Sequence, residues 1–363
     1  STTETQIAHN QLDQVRAFYV ADAGTQVALH RIKLNTLADP AYYADPTNLV
    51  GGSAAFETGN YAYTLVNLGL DPAGNPVIRV TSTGMVDAAR STVSARIQAA
   101  YNSWFGDAAH AKEKLVLKGN VRTDSYSSIT SPDASVCTGG ACPGTTGGVS
   151  TDETAANVMK LTGKVWVGGD ALVGPGGNPA AAIEQGSTVT IQGSKGTEAE
   201  VLTMPCLTLP SGVSSSGNLT LNNESLVWGT PGTTTILAFD GVEINGNSSV
   251  QVQGTVILYV LGGFGLSGNT AVNPGGIPNH LEIRFLSQDG PFRVEGNTLF
   301  SGVAYGCNLT IEAKGNAEVF GSLVGEEVTL GGNARVHYDE ALAARTDIFV
   351  GYRLAAWREI IPK

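Results

Sequence analysis

The residues of this chain that could carry out chemistry are carboxylates, histidines and cysteines. Cleavage of a polysaccharide needs clustered carboxylates, or calcium ligands beside a basic residue. The candidate acids in the Gly-rich central region are Asp170, Asp240, Glu243, Glu282, Asp289, Glu295, Glu312, Glu326 and Glu327. None falls in a D-x-D or E-x-x-H arrangement, and adjacent residues such as Glu326 and Glu327 point to opposite faces of a strand. We therefore predict solvated carboxylates, no catalytic residue and no enzymatic activity.

The histidines give no sign of a metal site. They stand at His9, His30, His110, His280 and His337, without the H-x-x-x-H or H-E-x-x-H spacing of a ligand pair. Each is interpreted as a surface histidine or as one that is hydrogen-bonded internally. The Gly-Asn pairs of the chain lack accompanying aspartates, so they are interpreted as structural corners and not as calcium ligands. No metal and no cofactor is expected.

Four cysteines occur, at Cys137, Cys142, Cys206 and Cys307. C-x₄-C without a neighbouring histidine is a poor zinc site. An even number of cysteines in a Gly/Ser/Thr-rich chain favours disulfides and an oxidising compartment. We predict a local Cys137–Cys142 bridge in a surface loop and a long-range Cys206–Cys307 bridge. The alternative is four buried free thiols.

Charge and composition limit the partners. The formal net charge is −11, charged residues make up 15 % of the chain, and apolar residues make up 42 %. Residues 108 to 338 hold 11 Lys+Arg against 19 Asp+Glu, which opposes tight binding to phosphates. No run of eighteen apolar residues is present, as a membrane-spanning helix would require. This profile is typical of an all-β extracellular protein with many turns.

The first hundred residues predict a helix followed by antiparallel strands. A helix is predicted over residues 2 to about 34, ended by Asp39-Pro40 and Asp45-Pro46. Its packing face is predicted to comprise Ile7, Leu12, Val15, Phe18 and Tyr19, with the small residues Ala8, Ala17, Ala21 and Ala28. Alternating residues then predict strands at 61–65 and 77–80 around a turn at 71–75, and a third run at 86–97.

The central region is organised around Gly-Asn pairs. They begin at Gly217, Gly246, Gly268, Gly296, Gly315 and Gly332, at intervals of 29, 22, 28, 19 and 17 residues. Short alternating apolar runs lie between them. A similar run at 115–117 precedes one more Gly-Asn pair, which begins at Gly119. Glycine and asparagine tolerate the positive φ of a tight corner. We interpret this pattern as the stacked coils of a β-solenoid. A β-sandwich with Gly-rich turns is the rival interpretation.

Two short motifs resemble those of type IV pilin-like minor pilins of the PilX and ComZ kind. Residues 17–24, Ala-Phe-Tyr-Val-Ala-Asp-Ala-Gly, resemble the family's helix signature, and residues 352–359 resemble its closing strand. The signature positions are Phe18, Tyr19, Ala21, Asp22, Gly24, Trp357 and Glu359. The resemblance implies a long N-terminal helix on a small antiparallel sheet. The alternative is an unrelated amphipathic helix that precedes a β-protein.

The resemblance has two departures. Asp22 stands where glutamate is usual, and the family's cleavage site and apolar half-helix are absent before Ser1. In the family this half-helix anchors the subunit in the inner membrane and later forms the filament core. We therefore expect about 20 to 30 further, mostly apolar residues upstream in the native chain, enough to span a bilayer. The chain as given should then be soluble and monomeric.

Together these observations predict an α+β pilin-like core that carries a large all-β solenoid insertion. The core would comprise residues 1–107 and 339–363, with the solenoid at 108–338. Residues 350–360 should pair with the strands at 59–100 and not with the solenoid. The predicted function is that of a non-enzymatic minor pilin that displays the solenoid for adhesion or ligand binding. The alternatives are a DNA receptor of a competence pilus and a polysaccharide-active β-helix enzyme.

The predicted partners follow from this function. They are other pilin subunits, contacted through the N-terminal helix, and a surface polymer, a host ligand or DNA. A membrane would be contacted only through the missing upstream segment. The predicted location is extracellular, on a pilus or the cell surface, after anchoring in the inner membrane.

Overall fold

The structure is a computed structural model that describes residues 2–38, 46–70, 76–286 and 290–360. The chain forms two compact units, one of Ser1–Asn102 with Thr346–Lys363 and one of Ser103–Arg345. We call the first the helix–sheet unit and the second the parallel β unit. The boundaries inferred from the sequence, 107/108 and 338/339, remain a prediction of where a pilin-like core would end.

The helix–sheet unit consists of one long helix and a five-stranded antiparallel sheet. The helix α1 spans Thr2–Ala38, and a 3₁₀ turn spans Pro46–Asn48. The strands are β1 (Gly52–Phe56), β2 (Gly59–Leu70), β3 (Pro76–Val86) and β4 (Ala89–Asn102), followed by the closing strand (Ile348–Ile360). They are hydrogen-bonded in that order. The predicted turn at 71–75 and the helix-ending residues 39–45 lie outside the described residues.

The closing strand pairs antiparallel with β4, so the predicted pairing with the 59–100 region is confirmed. Its register places Ile348 opposite Asn102 and Trp357 opposite Ala95. Both ends of the chain therefore contribute to one small sheet.

The run predicted at 86–97 is divided between two strands. The hairpin that joins β3 and β4 has Asp87 and Ala88 as its two turn residues, between the paired residues Val86 and Ala89. Asp87 has a φ of 50°, which aspartate tolerates better than most residues. The predicted run counted Val86 together with Val93, Ala95 and Ile97 and so passed over the turn between them.

The predicted packing face of α1 is confirmed for the small residues Ala17, Ala21 and Ala28 and wrong for most of the large ones. The face buried against the sheet carries Ala17, Val20, Ala21, Ala28 and Ile32, each at most 4 % exposed. The exposed large residues of the helix include most of the predicted ones: Ile7, Leu12, Val15, Tyr19, Val27 and Leu34, from 44 % to 63 % exposed. The helix has apolar residues on two faces. The face that carries the small residues is the one that packs on the sheet.

Small residues are required there because the helix and sheet approach closely. A β-carbon on Gly84 of β3 would collide with the backbone of α1 at Ala17 and Ala21. One on Gly24 of α1 would collide with the Ser82 hydroxyl and lie 2.8 Å from the ring of Tyr61. Larger residues on this face would therefore separate the helix from the sheet.

The parallel β unit contains 21 strands, β5 to β25, and one short helix. The strands are β5 (Ala109–Gly119), β6 (Arg122–Tyr126), β7 (Val149–Thr151), β8 (Met159–Gly163), β9 (Trp166–Val167), β10 (Ala171–Val173), β11 (Ile183–Gln185), β12 (Thr190–Ile191), β13 (Lys195–Thr197), β14 (Asn218–Asn222), β15 (Ser225–Phe239), β16 (Gly241–Asn245), β17 (Ser249–Val260), β18 (Phe264–Leu266), β19 (Ala271–Val272), β20 (Leu281–Phe285), β21 (Phe292–Gly296), β22 (Leu299–Tyr305), β23 (Thr310–Gly315), β24 (Glu318–Gly332) and β25 (Arg335–Asp339). The helix α2 spans Pro179–Ala182, and 3₁₀ turns span Pro278–His280 and Glu340–Ala344.

Corresponding strands of successive chain segments pair in parallel. In one such series, β14, β16, β18 and β21 place Leu219 beside Val242, Val242 beside Phe264, and Phe264 beside Phe292. The last three of these side chains are buried, and the rings of Phe264 and Phe292 lie 5.5 Å apart between centroids. Stacking of like residues along such series forms the core of this unit.

The order of the segments in this stack differs from their order in the chain. The first strands, β5 and β6, lie beside the last ones, β24 and β25, and on their other side beside β7, β8 and β9. The two ends of the unit consequently meet. The guanidinium of Arg345 lies over the ring of Phe105, 5.0 Å from its centroid.

The corners of the stack place glycine above glycine. Gly246, Gly268, Gly296, Gly315 and Gly332 all have positive φ, between 69° and 89°. A β-carbon on Gly268 would lie 2.6 Å from the carbonyl oxygen of Gly246. Both the backbone conformation and the close approach therefore require glycine at these corners.

Candidate functional site

The residues that resemble the pilin signature come together in the helix–sheet unit. The ring of Phe18 lies 5.7 Å from that of Trp357, at an interplanar angle of 83°. Phe18 is also 5.5 Å from Tyr19 between ring centroids. The hydroxyl of Ser91 donates a 2.8 Å hydrogen bond to Glu359. The helix signature and the closing strand are therefore parts of one packed structure.

The small signature residues Ala21 and Gly24 lie on the face of α1 that packs on the sheet, whereas the aromatic Tyr19 does not. Ala21 is fully buried, and Gly24 is at the close approach to Ser82 and Tyr61 described above. Asp22 is half-buried at the margin of this face. Tyr19, by contrast, is 63 % exposed.

Exposed large apolar residues lie along one side of α1, which we call the outer stripe. It comprises Leu12, Val15, Tyr19, Val27 and Leu34. Successive members are separated by 3, 4, 8 and 7 residues, which places them along one side of a helix with 3.6 residues per turn. This side lies opposite the face that packs on the sheet. No helix in the described ranges is both long enough and apolar enough to cross a membrane.

The structure pairs Cys137 with Cys142 and Cys206 with Cys307, the same pairs that the sequence predicts. The first closes a loop whose backbone contacts β6, where the amide of Cys142 donates a 2.9 Å hydrogen bond to Asp124. The second holds the long connection between β13 and β14. Two disulfides are typical of a protein from an oxidising compartment.

The acidic candidates from the sequence do not converge. Asp170, Asp240 and Glu243 are exposed, and Glu295, Glu312, Glu326 and Glu327 are half-exposed. Glu312 pairs with Lys314 at 2.5 Å, and Glu326 pairs with Lys112 at 3.7 Å. Glu282 is buried and forms ion pairs with Arg284 and Arg345. Asp289 lies outside the described residues.

A serine, a histidine and two aspartates meet in a cluster that sequence reasoning missed. His110 Nδ1 lies 2.8 Å from Ser150 Oγ, and His110 Nε2 lies 3.3 Å from Asp152. The Ser150 hydroxyl donates a 2.5 Å hydrogen bond to Asp107. Ser150 is fully buried and His110 is 4 % exposed, so the hydroxyl is shielded from solvent in this structure. The cluster is a buried hydrogen-bond network that joins neighbouring strands. His110 and Ser150 are neighbours only through strand register, and that gave no local sequence signal.

A second buried network surrounds His337. Its Nδ1 lies 2.5 Å from Asp124, and its Nε2 lies 3.2 Å from Glu318. Burial alone would lower the pKa of His337, but the hydrogen bonds to these carboxylates raise it above its ordinary value. Burial would likewise raise the pKa of Asp124, but hydrogen bonds from His337 and Arg122 lower it. The network thus favours a charged histidine between two carboxylates.

The same region has the spacing of a metal site without the necessary ligand. Ligand atoms of Asp124, Cys142 and His337 lie within 4.8 Å of one another. The sulfur of Cys142 is bonded to Cys137 and cannot act as a thiolate ligand. The donor set therefore does not fit a metal ion.

Exposed asparagines form a ladder along one corner of the parallel β unit. In spatial order they are Asn223, Asn247, Asn269, Asn297, Asn316, Asn333 and Asn120. Each side-chain amide donates to the carbonyl of the preceding asparagine, at distances from 2.7 Å to 3.3 Å. Six of these asparagines follow glycine in predicted corners. Asn223 does not follow glycine and occupies the end of the ladder. Asn218, from the predicted Gly217-Asn218 corner, lies outside the ladder. The ladder gives this corner a regular, uncharged surface.

Comparisons with known proteins give one family match and several weak structural likenesses. Residues 176–345, less than half of the chain, match a family described as a domain of unknown function, DUF7305. The search of curated proteins finds no match.

Among solved structures, the chain is similar to the competence-associated pilin ComZ from Thermus thermophilus, with 13 % identity and a TM-score of 0.36, over 97 % of this chain and 98 % of that one. It is also similar to a glycosylated ice-binding protein from an Arctic yeast, with 13 % identity and a TM-score of 0.33, over 64 % of this chain and 90 % of that one. The ice-binding protein_1 DUF3494 domain of Shewanella frigidimarina gives 12 % identity and a TM-score of 0.33, over 66 % and 98 % of the two chains. These TM-scores are below 0.5, and neither fold nor function is inferred from them.

Proposed function

We propose that the protein is a non-enzymatic, pilus-associated surface subunit of the minor pilin kind. Its helix–sheet unit would assemble with other pilin-like subunits through α1. Its parallel β unit, which we propose is a β-solenoid, would be displayed outward for attachment to a surface polymer or a host ligand. The protein would function outside the cell.

The observation that carries this proposal is the two-faced helix. One side of α1 is buried on the sheet through Ala17, Ala21 and Ala28, and the outer stripe leaves large apolar residues exposed on the other side. A line of exposed large apolar residues on one side of a helix is typical of a surface that packs against another helix. Filament assembly through helices supplies such a partner. The contact between the signature aromatics Phe18 and Trp357 in the same unit supports the pilin-like assignment.

Two substitutions in the outer stripe test assembly. In the organism of origin, Val15→Asp and Tyr19→Asp should lower the amount of full-length protein recovered with sheared pili at least about tenfold, because each places a carboxylate in an apolar helix contact. Asn10→Asp adds the same charge at an exposed position of α1 away from the stripe and should leave recovery unchanged. Equal recovery of all three variants would contradict the proposal.

The charge of the parallel β unit argues against the DNA-receptor alternative. Its acidic residues outnumber its basic ones, and a duplex is bound by neutralising many phosphates. A gel-shift assay with duplex DNA at physiological salt should show no specific complex. A tight, salt-sensitive complex would instead favour a role in DNA uptake.

A polysaccharide-active enzyme is disfavoured by the placement of the acids. Within the described residues, the candidate carboxylates are dispersed over the surface or held in ion pairs. Incubation with acidic and neutral polysaccharides should release no new reducing ends.

A further inference from the structure

A cationic cleft lies on the surface of this acidic protein. It has a volume of ≈ 360 Å³ and lies between a row of four neighbouring strands, β25, β6, β9 and β12, and the loop that Cys137 and Cys142 close. The side chains that give it its chemistry are Arg122, Lys164, Trp166, Thr188, Thr190 and Arg335. All belong to the parallel β unit.

Strand register aligns the charged residues of the cleft. Arg335 of β25 lies directly beside Arg122 of β6, and Trp166 of β9 follows on the other side of Arg122. Like charges on directly opposed residues repel each other. A negatively charged ligand in the cleft would offset this repulsion further than the carboxylate of Asp124, which pairs with Arg122, already does.

The nearby carboxylates neutralise the cleft only in part, because Arg122, Lys164 and Arg335 outnumber Asp124, which pairs with Arg122, and Glu318, which lies near Arg335. Asp124 is buried and hydrogen-bonded to His337 and Arg122, and Glu318 is hydrogen-bonded to His337 on its other nitrogen. In the part of the chain that the structure describes, the guanidinium of Arg335 forms no ion pair within 4.0 Å. Positive charge thus remains on the side of the cleft that faces solvent.

Arg122 is held in a fixed orientation. Its guanidinium lies over the ring of Trp166, 5.0 Å from the centroid, and its Nε donates a 2.5 Å hydrogen bond to Asp124. These two contacts leave the terminal amino groups of the planar fork for a ligand. A fixed guanidinium fork is well suited to two parallel hydrogen bonds with a carboxylate.

The disulfide loop forms the opposite wall of the cleft. Gly139, Gly140 and Ala141 line it, and a β-carbon on Gly140 would collide with the guanidinium of Arg335. The loop therefore helps to position Arg335. Its own position is set by the Cys137–Cys142 bridge and by the hydrogen bond from Cys142 to Asp124.

We propose that this cleft binds a uronic acid residue of an acidic polysaccharide. The arginines would bind the sugar carboxylate, and the aromatic and hydroxyl side chains of Trp166, Thr188 and Thr190 would contact the sugar ring and its hydroxyl groups. The volume is at the lower end of the range for small-molecule sites and suits one or two sugar rings. Three basic side chains suit one or two carboxylates better than the many phosphates of a nucleic acid. That an acidic polysaccharide is the natural ligand of the displayed unit rests on the proposed surface role. The binding of a carboxylate by the arginines of the cleft does not depend on that role.

The test measures binding of the purified chain to trigalacturonate by calorimetry. The matched neutral probe is trigalactose, and inorganic phosphate and a ten-residue thymidine oligonucleotide are the competing anions. Trigalacturonate should bind, while trigalactose should not. Stronger binding of phosphate or of the oligonucleotide would overturn the proposal in favour of phosphate recognition. Equal binding of the neutral probe, or no binding of trigalacturonate, would overturn it outright.

Variants locate the binding. Arg335→Gln should weaken trigalacturonate binding at least about tenfold, since a charge-assisted fork contact is lost. Arg293→Gln removes the same charge from an exposed arginine that pairs with Glu312 outside the cleft, and should change nothing. Equal effects of both variants would contradict the assignment. Lys164→Gln is the second cleft variant if Arg335→Gln does not fold, as judged by thermal unfolding.

The two proposals fail separately. Arg335→Gln should be recovered with pili as well as the unmodified protein, and Val15→Asp should bind trigalacturonate normally. Loss of pilus recovery in the first variant, or loss of sugar binding in the second, would contradict this separation of an assembly surface from a binding cleft.

Discussion

Phe18 and Trp357, from opposite ends of the chain, lie edge-to-face with 5.7 Å between their ring centroids. This contact joins α1 to the closing strand within the helix–sheet unit. Asn102 and Ile348 are register partners at the place where the chain leaves this unit and returns to it. The unit is therefore continuous in space although 103–345 interrupt it in sequence.

We expect the helix–sheet unit to fold without the parallel β unit. Replacement of residues 103–345 by a short Gly-Ser linker joins backbone segments that are already neighbours, so it should not strain the sheet. The product should show a cooperative thermal transition and mixed helix and sheet signals in circular dichroism. An unfolded product would contradict the insertion.

Enlarging the buried face of α1 should destabilise this isolated unit. Ala21→Leu adds three carbons at a fully buried position beside Gly84, and should reduce the free energy of unfolding by about 2 kcal/mol. The matched variant Ala8→Leu makes the same change at an exposed position and should alter it by less than about 0.5 kcal/mol. Urea titration measures both, and equal effects would show that the close helix–sheet approach is not needed.

Much of this organisation was predictable because it depends on local patterns. The helix, the antiparallel strands and the corner glycines follow from periodicity and from the backbone freedom of glycine. The large residues of the packing face of α1 were predicted wrongly, because periodicity alone does not distinguish the exposed Val15 and Tyr19 from the buried Val20 and Ile32. Only the tertiary fit at Gly84 decides between the two faces.

The buried polar clusters were unpredictable for a different reason. His337 and Asp124 become neighbours because β25 stacks beside β6. This neighbour relation depends on the order in which the strands stack, because the last strands of the unit, β24 and β25, lie beside the first, β5 and β6. No local signal in the sequence encodes that order.

The His337 network should give the parallel β unit a pH-dependent stability. The pKa of His337 is raised by folding, so its contribution is complete below about pH 6.5, the ordinary value for an unfolded histidine, and is lost as the pH rises through the folded value. The lowered pKa of Asp124 gives the opposite dependence in acid, where stability falls as the carboxylate becomes protonated. Urea unfolding at pH 6 and pH 9 should show a loss of stability that His337→Gln diminishes. An unchanged difference between the two pH values in that variant would contradict the role of the histidine.

The long-range disulfide should stabilise the protein more than the local one. Cys206 and Cys307 are separated by 101 residues, and Cys137 and Cys142 by 5. The chain-entropy model gives about 4.7 kcal/mol for a loop of the larger size. The double variant Cys206→Ser with Cys307→Ser should therefore lower the midpoint of urea unfolding more than Cys137→Ser with Cys142→Ser. The reverse order would show that chain entropy does not dominate here.

The outer stripe of α1 should contact other pilin-like subunits, and site-specific photo-crosslinking in isolated pili would detect this contact. A benzophenone amino acid would replace Tyr19 in the stripe or, as the control, Asn10 at another exposed position of α1. Irradiation should give an adduct between the Tyr19-substituted protein and a second pilin-like subunit, identified by mass spectrometry, and little or none from the Asn10-substituted protein. Adducts from the Asn10 position alone, or no adduct from either position in pili that contain the protein, would contradict the claim.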